Sequence, residues 1–497
     1  MPTGTATQER KRNTRARNRP ETHARTHRNT PAGLFSSDGE SDETLSHEMT
    51  RRRIVAGEFD TGDTAWMLMA ASLVLLMTPA LALFYGGMSR QKSVLNMMMM
   101  SFGSMGLVGI IYLLWGWSMS YGGQSVGGVF ANPFEMFGLS GVIGDASGWV
   151  ASGSGAYPQV VDVAFQVTFA IITVALISGA LAERVRFGTW LAFAGVWVTL
   201  AYFPLAHMVW GGGLLSHSEN GIAAKIFGTV DDGEGGLVAA VAPVDFAGGT
   251  VVHINAGIAA LVLVLLIGRR LEFGRTAYRP HNLPLVMLGA ALLWFGWFGF
   301  NAGSAFGADG AAGLAWVNTT AAAAAAMLGW LLAERIRDGH ATSLGAASGV
   351  VAGLVAITPA AGSVNPLGAV AVGAVAGILS ALAVGLKYRF GYDDSLDVVG
   401  VHLVAGLWGT VAIGLFATGT FDTAAGLFYS ADGWRLLAIQ VVIAVAALVF
   451  TAVMTTIAWA ICRPLGWRID AADEQSGIDG TQHAESAYEP ATAALIR

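Results

Sequence analysis

Two histidines with matching surroundings are the residues best suited to chemistry in this sequence. His253 lies in VHINAGI at 252–258, and His402 lies in VHLVAGL at 401–407. Both segments follow the pattern V-H-x-x-A-G-aliphatic, and both lie in long apolar stretches. Ionisable residues inside an apolar membrane stretch are costly, and they usually face a pathway or one another. The matched pair therefore indicates a functional site rather than two unrelated buried histidines.

Three kinds of site suit such a pair. Imidazole is a common ligand of haem and of transition metals, and two imidazoles can also line a conduction path. A metal site usually needs more ligands, and no cysteine or carboxylate is spaced near the histidines inside their apolar stretches. Two neutral imidazoles can share one hydrogen bond and still offer a donor or an acceptor to a small polar molecule. A conduction path is the favoured interpretation, and a redox haem protein is the alternative that a missing Soret band would remove.

The composition indicates the elements that must position these rings. Of 497 residues, 54% are hydrophobic and 12% are charged, whereas soluble domains average about 25% charged residues. This deficit of charge over a long chain is typical of a polytopic membrane protein. The single cysteine, Cys462, excludes an internal disulfide framework and any zinc or iron–sulfur site built from several cysteines.

Crossing a membrane takes about 20 consecutive apolar residues. The sequence contains eleven such stretches, so we expect an all-α polytopic membrane protein with eleven transmembrane helices. The predicted spans, numbered 1 to 11 in chain order, are 64–85, 94–120, 159–181, 189–213, 247–268, 283–302, 313–333, 341–359, 367–386, 397–417 and 434–461.

The loops between the predicted spans alternate in charge. One side carries most of the basic residues, while the other has only Lys225 and Arg435 among several acidic residues. By the positive-inside rule, the first side is cytoplasmic, so the membrane body begins outside the cell and ends inside it. The basic side includes Arg90, Lys92, Arg184, Arg186, Arg335, Arg337, Lys387, Arg389, Arg463 and Arg468.

The two histidines also suggest an internal repeat. His253 lies in span 5 and His402 in span 10, and an aspartate precedes each of them, Asp245 by eight residues and Asp397 by five. Two five-span halves must run in opposite directions, which is the inverted-repeat plan of many transporters. We therefore predict two inverted five-helix repeats plus a final helix, with the two imidazoles meeting at mid-depth.

The ends of the chain differ from the membrane body. Residues 1–58 are basic and almost free of large apolar residues, which predicts a disordered tail. This tail would lie outside with eleven Lys and Arg, against the charge rule. Long flanking segments can escape that rule, but we favour a translation start at Met49 or later. The membrane domain then covers 59–462, and 463–497 forms a polar cytoplasmic tail.

Several longer motifs resemble the ammonium transporter family, the Amt branch of the Amt/Rh superfamily. The resemblance runs from about Asp63 to Tyr488 and includes all eleven predicted spans in order. The motifs are LFYGGM (83–88), VAFQVTFA (163–170), LAERVRF (181–187), AHMVWGGGLL (206–215), DFAGGTVVHINAG (245–257), PHNLP (280–284), GWFGFNAGSA (296–305) and DVVGVHLVAG (397–406).

The resemblance assigns roles to individual residues along a conduction path. An outer site that recruits ammonium is expected at Trp210, Phe169 and Ser304, where aromatic faces attract a cation and a hydroxyl oxygen accepts an N–H. Phe169 and Phe300 would form a hydrophobic gate below this site, since such a constriction resists hydrated ions.

Below the gate, the resemblance makes His253 and His402 the twin pore histidines, with Trp297 beside them. Asp245 would support the recruitment site by organising its backbone. Asp397, at the start of span 10, either has a similar supporting role or simply caps a helix N-terminus.

The mechanism that the resemblance implies is uptake with deprotonation. Ammonium would lose its proton near the gate, ammonia would pass the histidines, and the proton would travel separately along the pair. The resemblance implies a transporter of the cell membrane rather than an enzyme, with no cofactor, no metal and no nucleic-acid partner. A conductor of neutral gas like the Rh proteins is an alternative that Trp210 disfavours, and an ammonium sensor would need a signalling partner.

The resemblance also implies assembly and regulation. The family forms homotrimers, and its cytoplasmic tail docks a trimeric PII-type regulator. The segment ADEQSGIDGTQHAESAY at 472–488 resembles that tail. It departs from the family pattern in having Ala484 where a flexible glycine is usual.

Overall fold

The computed structural model describes residues 59–144, 151–152, 156–233, 235–276, 278–420 and 423–488. The predicted N-terminal tail, 1–58, and the last residues of the predicted C-terminal tail, 489–497, lie outside the described residues.

Within the described residues, eleven helices are long and apolar enough to cross a membrane. They match the eleven predicted stretches one for one, so the chain is an all-α polytopic membrane protein, as predicted. Spans 1 to 11 are Thr61–Met88, Val94–Tyr121, Gln159–Leu181, Phe187–Val209, Gly249–Ile267, Leu283–Gly303, Gly310–Asp338, Ser343–Ala360, Pro366–Phe390, Val399–Phe416 and Gly433–Leu465.

The remaining described elements are short. Two antiparallel two-stranded sheets pair Ser125–Val126 with Phe130–Ala131 and Thr229–Asp231 with Leu237–Ala239. The short helices outside the spans are Gln91–Ser93, Phe137–Leu139, Ile222–Phe227, Ala471–Ser476 and Ile478–His483.

Several spans begin at a polar residue whose side chain caps free backbone amides of the first turn. Asp60 accepts hydrogen bonds from the amides of Gly62 and Asp63 at the start of span 1. Asp309 accepts from the Ala312 amide at the start of span 7, and Asn365 accepts from Gly368 in the same way before span 9. The first amides of a helix have no partner within the helix, so a side-chain acceptor there stabilises its start.

Matched contacts support the predicted repeat. Spans 3 and 8 both end in a single 3₁₀ turn, Gly179–Leu181 and Thr358–Ala360. The amide of Ser395, before span 10, donates to the carbonyl oxygen of Ala180 in the first turn, at 3.3 Å. The amide of Phe246, before span 5, donates to Pro359 in the second turn, at 3.1 Å. The second contact repeats the first with each span replaced by its counterpart five spans away, 3 by 8 and 10 by 5. The inverted arrangement itself stays a prediction.

The described part of the C-terminal tail packs on the membrane body. The carboxylate of Asp479 accepts hydrogen bonds from the backbone amides of Leu95 and Asn96, at 3.0 and 2.8 Å, and so caps the start of span 2. The carboxylate of Glu474 accepts from the Leu271 amide at 2.6 Å and also pairs with Arg468. Buried carboxylates thus attach both short tail helices to the loops around them.

Ala484 ends the last described helix in a conformation that favours glycine. Its φ is 56° and its ψ is 31°, in the left-handed region. That region costs a residue with a Cβ about 1–2 kcal/mol. The glycine that the family resemblance leads one to expect here would avoid this cost.

We therefore predict that Ala484→Gly stabilises the docked tail by about 1 kcal/mol. Slower hydrogen exchange of the amides in Ile478–His483 would measure the gain. Ala472→Gly is the matched control: it lies inside the preceding helix, Ala471–Ser476, where glycine should instead speed exchange. Equal effects of the two changes would contradict the prediction.

Candidate functional site

A cavity of about 750 Å³ opens among the helices, and we name it the outer cavity after the outer site predicted from the sequence. It brings together all three residues predicted for cation recruitment, and also Asp245, which was predicted to support them. Phe169, Trp210, Asp245 and Ser304 all line it. The residues predicted for recruitment, which are distant in sequence, therefore share one space.

Trp210 is held in a fixed orientation at this cavity. Its indole Nε1 donates a hydrogen bond to the backbone carbonyl of Asp245, at 2.9 Å. Its ring meets the ring of Phe169 edge to face, with centroids 6.1 Å apart and planes at 89°. Because the indole N–H is already used, what Trp210 offers to a cation is the negative face of its ring.

Ser304 offers an acceptor rather than a donor. Its hydroxyl donates to the backbone carbonyl oxygen of Phe300, at 2.8 Å. The hydroxyl proton is thereby committed, while the oxygen lone pairs are left for an N–H donor in the cavity.

Phe169 and Phe300 close the bottom of the cavity. Their ring centroids are 4.3 Å apart, and their exposed fractions are 1% and 0%. Phe169 lines the outer cavity, and Phe300 lines a much smaller void beside the histidines. The pair therefore separates the two spaces.

His253 and His402 meet in that small void. Their Nδ1 atoms are 3.3 Å apart, and the rings are stacked with centroids 5.4 Å apart. One Nδ1 must donate and the other accept, so the pair holds complementary tautomers when both rings are neutral. The void measures only about 10 Å³ and is lined by apolar side chains around the two rings. The contact expected between the imidazoles is present.

The histidine rings continue an aromatic column. The ring of His253 stacks on Trp297 at 5.4 Å and on Phe300 at 6.0 Å. Its Nε2 is buried, with no hydrogen-bond partner among the described residues. A buried nitrogen without a partner costs free energy unless a transient ligand satisfies it.

Wide helical turns position the two histidines. His253 lies in the π-helical turn Gly249–Ile254 and His402 in the π-helical turn Val399–Leu403. Such turns are rare and often mark functional sites. Other π-helical turns occur at Tyr112–Gly116 in span 2 and Val198–Tyr202 in span 4.

Two glycines of the repeated pattern bring these turns into contact. A Cβ on Gly257 would lie 2.6 Å from the Cβ and the amide nitrogen of Leu403, the neighbour of His402. A Cβ on Gly406 would lie 3.1 Å from the Cβ of His253. Each histidine segment therefore packs against the glycine of the other half.

Two aspartates cap the histidine turns in matching ways. Asp245 accepts from the amides of Gly248, Thr250 and Val251 at 3.0 to 3.2 Å. Asp394 accepts from Val398 and Val399 at 3.1 and 2.7 Å. Each lies eight residues before its histidine. Burial raises the pKa of both carboxyls to about 6, and the amide hydrogen bonds act in the opposite direction.

The capping role considered for Asp397 is therefore wrong, as is its pairing with Asp245. Asp394 binds the amides that begin span 10, whereas the carboxylate of Asp397 pairs with Lys387 Nζ at 2.6 Å. The φ of Asp397 is 65°, which is not the extended conformation of a helix N-cap. The equal spacing of eight residues was the signal that identifies Asp394.

Trp297 is anchored by a residue that the sequence analysis did not single out. Its indole Nε1 donates to the hydroxyl of Thr358, at 2.8 Å. That hydroxyl donates in turn to the carbonyl oxygen of Leu354, at 2.7 Å. Thr358 begins the 3₁₀ turn of span 8, so the turn also orients the tryptophan beside His253.

In the part of the chain that the structure describes, no group of three or more His, Cys, Asp or Glu is placed to hold a metal ion.

Comparisons with known proteins agree with this architecture. Residues 65–488 match the family described as the Ammonium Transporter Family. The chain belongs to the ammonium transporter family. An ammonium transporter of Mycobacterium tuberculosis is 53% identical over 458 residues, which cover 88% of this chain and 92% of that protein. An ammonium transporter of Aquifex aeolicus is 44% identical over 434 residues, covering 87% and 94%.

Solved structures show the same fold. The crystal structure of Saccharomyces cerevisiae Mep2 superposes with a TM-score of 0.72 at 31% identity, and the match covers 88% of this chain and 93% of that one. A structure titled Sensor Amt Protein superposes with a TM-score of 0.73 at 25% identity, covering 85% and 98%. For a member of the ammonium transporter family, the outer cavity, the phenylalanine pair and the histidine pair are the natural candidates for its path.

Proposed function

We propose that this protein transports ammonium across the membrane, along a path from the outer cavity past the phenylalanines to the paired histidines. The observation that carries the proposal is the contact between His253 and His402 in a small void with an apolar lining, directly behind the ring pair of Phe169 and Phe300. Two ionisable rings buried among apolar helices are costly, so their direct pairing favours a role in a pathway.

Recruitment takes place at Trp210, Phe169 and Ser304. The aromatic faces attract ammonium, and exclusion of water strengthens that attraction. Ser304 accepts one N–H, because its own proton is donated to Phe300. Asp245 supports the site through the hydrogen bond from Trp210 to its carbonyl oxygen. These contacts favour ammonium over water, and the hydrogen bond to Ser304 favours it over an alkali cation.

Ammonium then gives up its proton at the gate. A bare monovalent cation is expensive in an apolar lumen, and Phe169 and Phe300 leave little room for its hydration shell. Ammonia passes the histidines, where the unpartnered Nε2 of His253 offers one hydrogen bond. The proton travels separately along the imidazole pair, so net uptake is electrogenic and ends in the cytoplasm.

The protein is placed in the cell membrane, with its N-terminus outside and its C-terminus in the cytoplasm. The alternation of basic and acidic loops supports that orientation. Large apolar side chains exposed on several spans, such as Ile336 and Leu367, fit contact with lipid or with neighbouring subunits of a homotrimer. The docked tail, Ala471–Ser476 and Ile478–His483, lies on the basic side, where a PII-type regulator would bind.

Transport is tested with purified protein reconstituted into liposomes. A pulse of ammonium chloride should produce an inward current, because ammonia and its proton both enter. Matched pulses of sodium chloride serve as the control. If neither a current nor an ammonia flux follows, the proposal is overturned.

Trp210→Leu is expected to raise the ammonium concentration for half-maximal current about tenfold, because a desolvated cation–π contact contributes about 1–2 kcal/mol. The maximal current should change much less, since the gate and the histidines are untouched. Trp434→Leu is the control, because that tryptophan is exposed outside the cavity. An unchanged half-maximal concentration in the Trp210 variant would remove Trp210 from the recruitment site.

A further inference from the structure

The wall of the outer cavity carries a carboxylate that the proposed path does not use. Asp162 lies in span 3, is 5% exposed and lines the cavity. It comes four residues before Gln166 and seven before Phe169. This spacing places all three on one face of the helix, with Asp162 nearer the outer end.

Asp162 has no cationic partner among the described residues. Its carboxylate accepts hydrogen bonds from the hydroxyls of Ser152 and Tyr157, the latter at 2.6 Å. None of the ion pairs in the described ranges includes it. The sequence has no Lys, Arg or His between Lys92 and Arg184. Buried charges are normally paired, so this carboxylate is available to a cation from the cavity.

Gln166 gives an independent indication of a ligand. Its side chain is 7% exposed and lines the same cavity. Its carbonyl Oε1 is buried and has no hydrogen-bond partner among the described residues. Such an acceptor costs about 1–3 kcal/mol when it stays unsatisfied. A ligand with N–H donors in the cavity would satisfy it.

An aromatic pair completes this part of the wall. Trp117 and Tyr121 both line the cavity, and their ring centroids are 4.7 Å apart. The Tyr121 hydroxyl is also buried without a partner in the described part of the chain. Aromatic faces and phenolic oxygens both suit a small cation that carries N–H groups.

We propose that Asp162, Gln166 and Tyr121 form a second ammonium subsite in the outer cavity, which the ion occupies before it reaches Trp210. The inference rests on the proposed function and adds a residue set to it. Asp162 supplies the charge, while Gln166 and Tyr121 accept N–H bonds. Oxygen acceptors also coordinate alkali cations, so the subsite concentrates monovalent cations at the mouth of the path, and discrimination between them is left to the residues below it.

The competing role for Asp162 is purely structural. Its bonds to Ser152 and Tyr157 also attach the preceding loop to span 3. An anchoring role predicts a lower melting temperature and a lower maximal current, with the half-maximal ammonium concentration unchanged. A binding role predicts a higher half-maximal ammonium concentration, with the melting temperature and the maximal current nearly unchanged. The two roles can therefore be separated.

Asp162→Asn is the decisive variant, because asparagine removes the charge and keeps an acceptor for Tyr157, while its amide nitrogen can donate to the Ser152 hydroxyl, which is also able to accept. In liposomes, its half-maximal ammonium concentration should rise about tenfold, as expected for loss of one charge-assisted hydrogen bond. The maximal current should stay within about twofold of the parent protein. Gln166→Met should shift the half-maximal concentration in the same direction by a smaller factor.

Asp309→Asn is the matched control. Asp309 caps span 7 and does not line the cavity, so the same chemical change there should leave the half-maximal concentration unaltered. An unchanged half-maximal concentration in Asp162→Asn, or the anchoring pattern, overturns the inference. Absence of current in the parent protein would instead refute the proposed function.

Binding of ammonium chloride by calorimetry provides a readout that does not depend on transport. Protein with Trp210→Leu should still bind ammonium through the second subsite. Adding Asp162→Asn to that variant should abolish the remaining heat. Equal heats from the single and the double variant overturn the inference.

Discussion

Replacing His253 by phenylalanine is expected to lower the ammonium-elicited current about 100-fold, the effect of removing one well-placed hydrogen-bonding group from a water-free site. The new ring can still stack between Phe300 and Trp297, so the column should persist. What disappears is the free Nε2 and the Nδ1 that contacts His402. Ammonia then finds only His402 as a hydrogen-bonding partner at this depth, and the proton loses its two-ring relay.

His207→Gln is the matched control for that variant. His207 is also buried in a span, but its ring nitrogens contact the Ser125 hydroxyl at 2.8 Å and the Ser120 carbonyl oxygen at 3.2 Å. Glutamine can keep both contacts, so the current should remain close to that of the parent protein. A His253→Phe protein that is folded in a melting assay and conducts at the parental rate would remove the histidine pair from the mechanism.

Asp393→Ala is expected to destabilise the protein by about 3 kcal/mol, the lower end of the cost of breaking a buried ion pair, because Glu183 remains near Arg270 at 3.3 Å. Arg270 binds the Asp393 carboxylate through two atoms, Nη2 at 2.8 Å and Nε at 2.9 Å. The fully buried Arg184 donates to the backbone carbonyl of Asp393 at 2.7 Å. Burial lowers the pKa of Arg184 to about 10, which shows how strongly its charge depends on nearby anions.

The same carboxylate links stability to pH. Burial alone would raise the pKa of Asp393, but the hydrogen bonds and charges of Arg270 and Arg184 hold it below its ordinary value. A depressed pKa means that the stabilisation is present above the pKa of the unfolded chain and is lost as the pH falls through the folded value. The parent protein should therefore lose this contribution in acid, whereas Asp393→Ala should lose none of it.

Thermal unfolding of the detergent-solubilised protein, recorded from neutral to acidic pH, measures both effects. Asp338→Asn is the control, since Asp338 pairs with Arg337 on the exposed surface, where ion pairs contribute little. The buried-pair argument would be refuted if the melting temperature fell by similar amounts in the two variants. It would also be refuted if Asp393→Ala melted at the same temperature as the parent protein.

The spans were predictable because length and apolarity alone define them. The residues at which the spans begin and end were less predictable. Span 4 was predicted to reach 213 but ends at Val209, because the three glycines at 211–213 form a turn in which Gly212 has a φ of 82°. The π-helical turn of His253, Gly249–Ile254, was not predicted, since it arises from packing between the two halves rather than from local propensity.

The site was predictable only where a pattern repeats or a motif is long. The histidine pair followed from matching segments, whereas the anchor of Trp297 on Thr358 joins residues 61 positions apart and leaves no local signal. The attachment of the tail through Glu474 and Asp479 depends on backbone amides of distant loops, which sequence patterns do not reveal. Asp162 and Gln166 could have been found from their shared helix face with Phe169.

The reciprocal packing of Gly257 on Leu403 and of Gly406 on His253 has a mechanical consequence. Neither histidine segment can slide or tilt without displacing the backbone of the other, so the space around the two imidazoles has a rigid wall. Room for a solute would then come from displacement of the buried side chains Phe169 and Phe300 rather than from movement of the helices. The transport rate would depend on how often the two phenylalanine side chains move apart. A large conformational change between inward-facing and outward-facing states would be unnecessary.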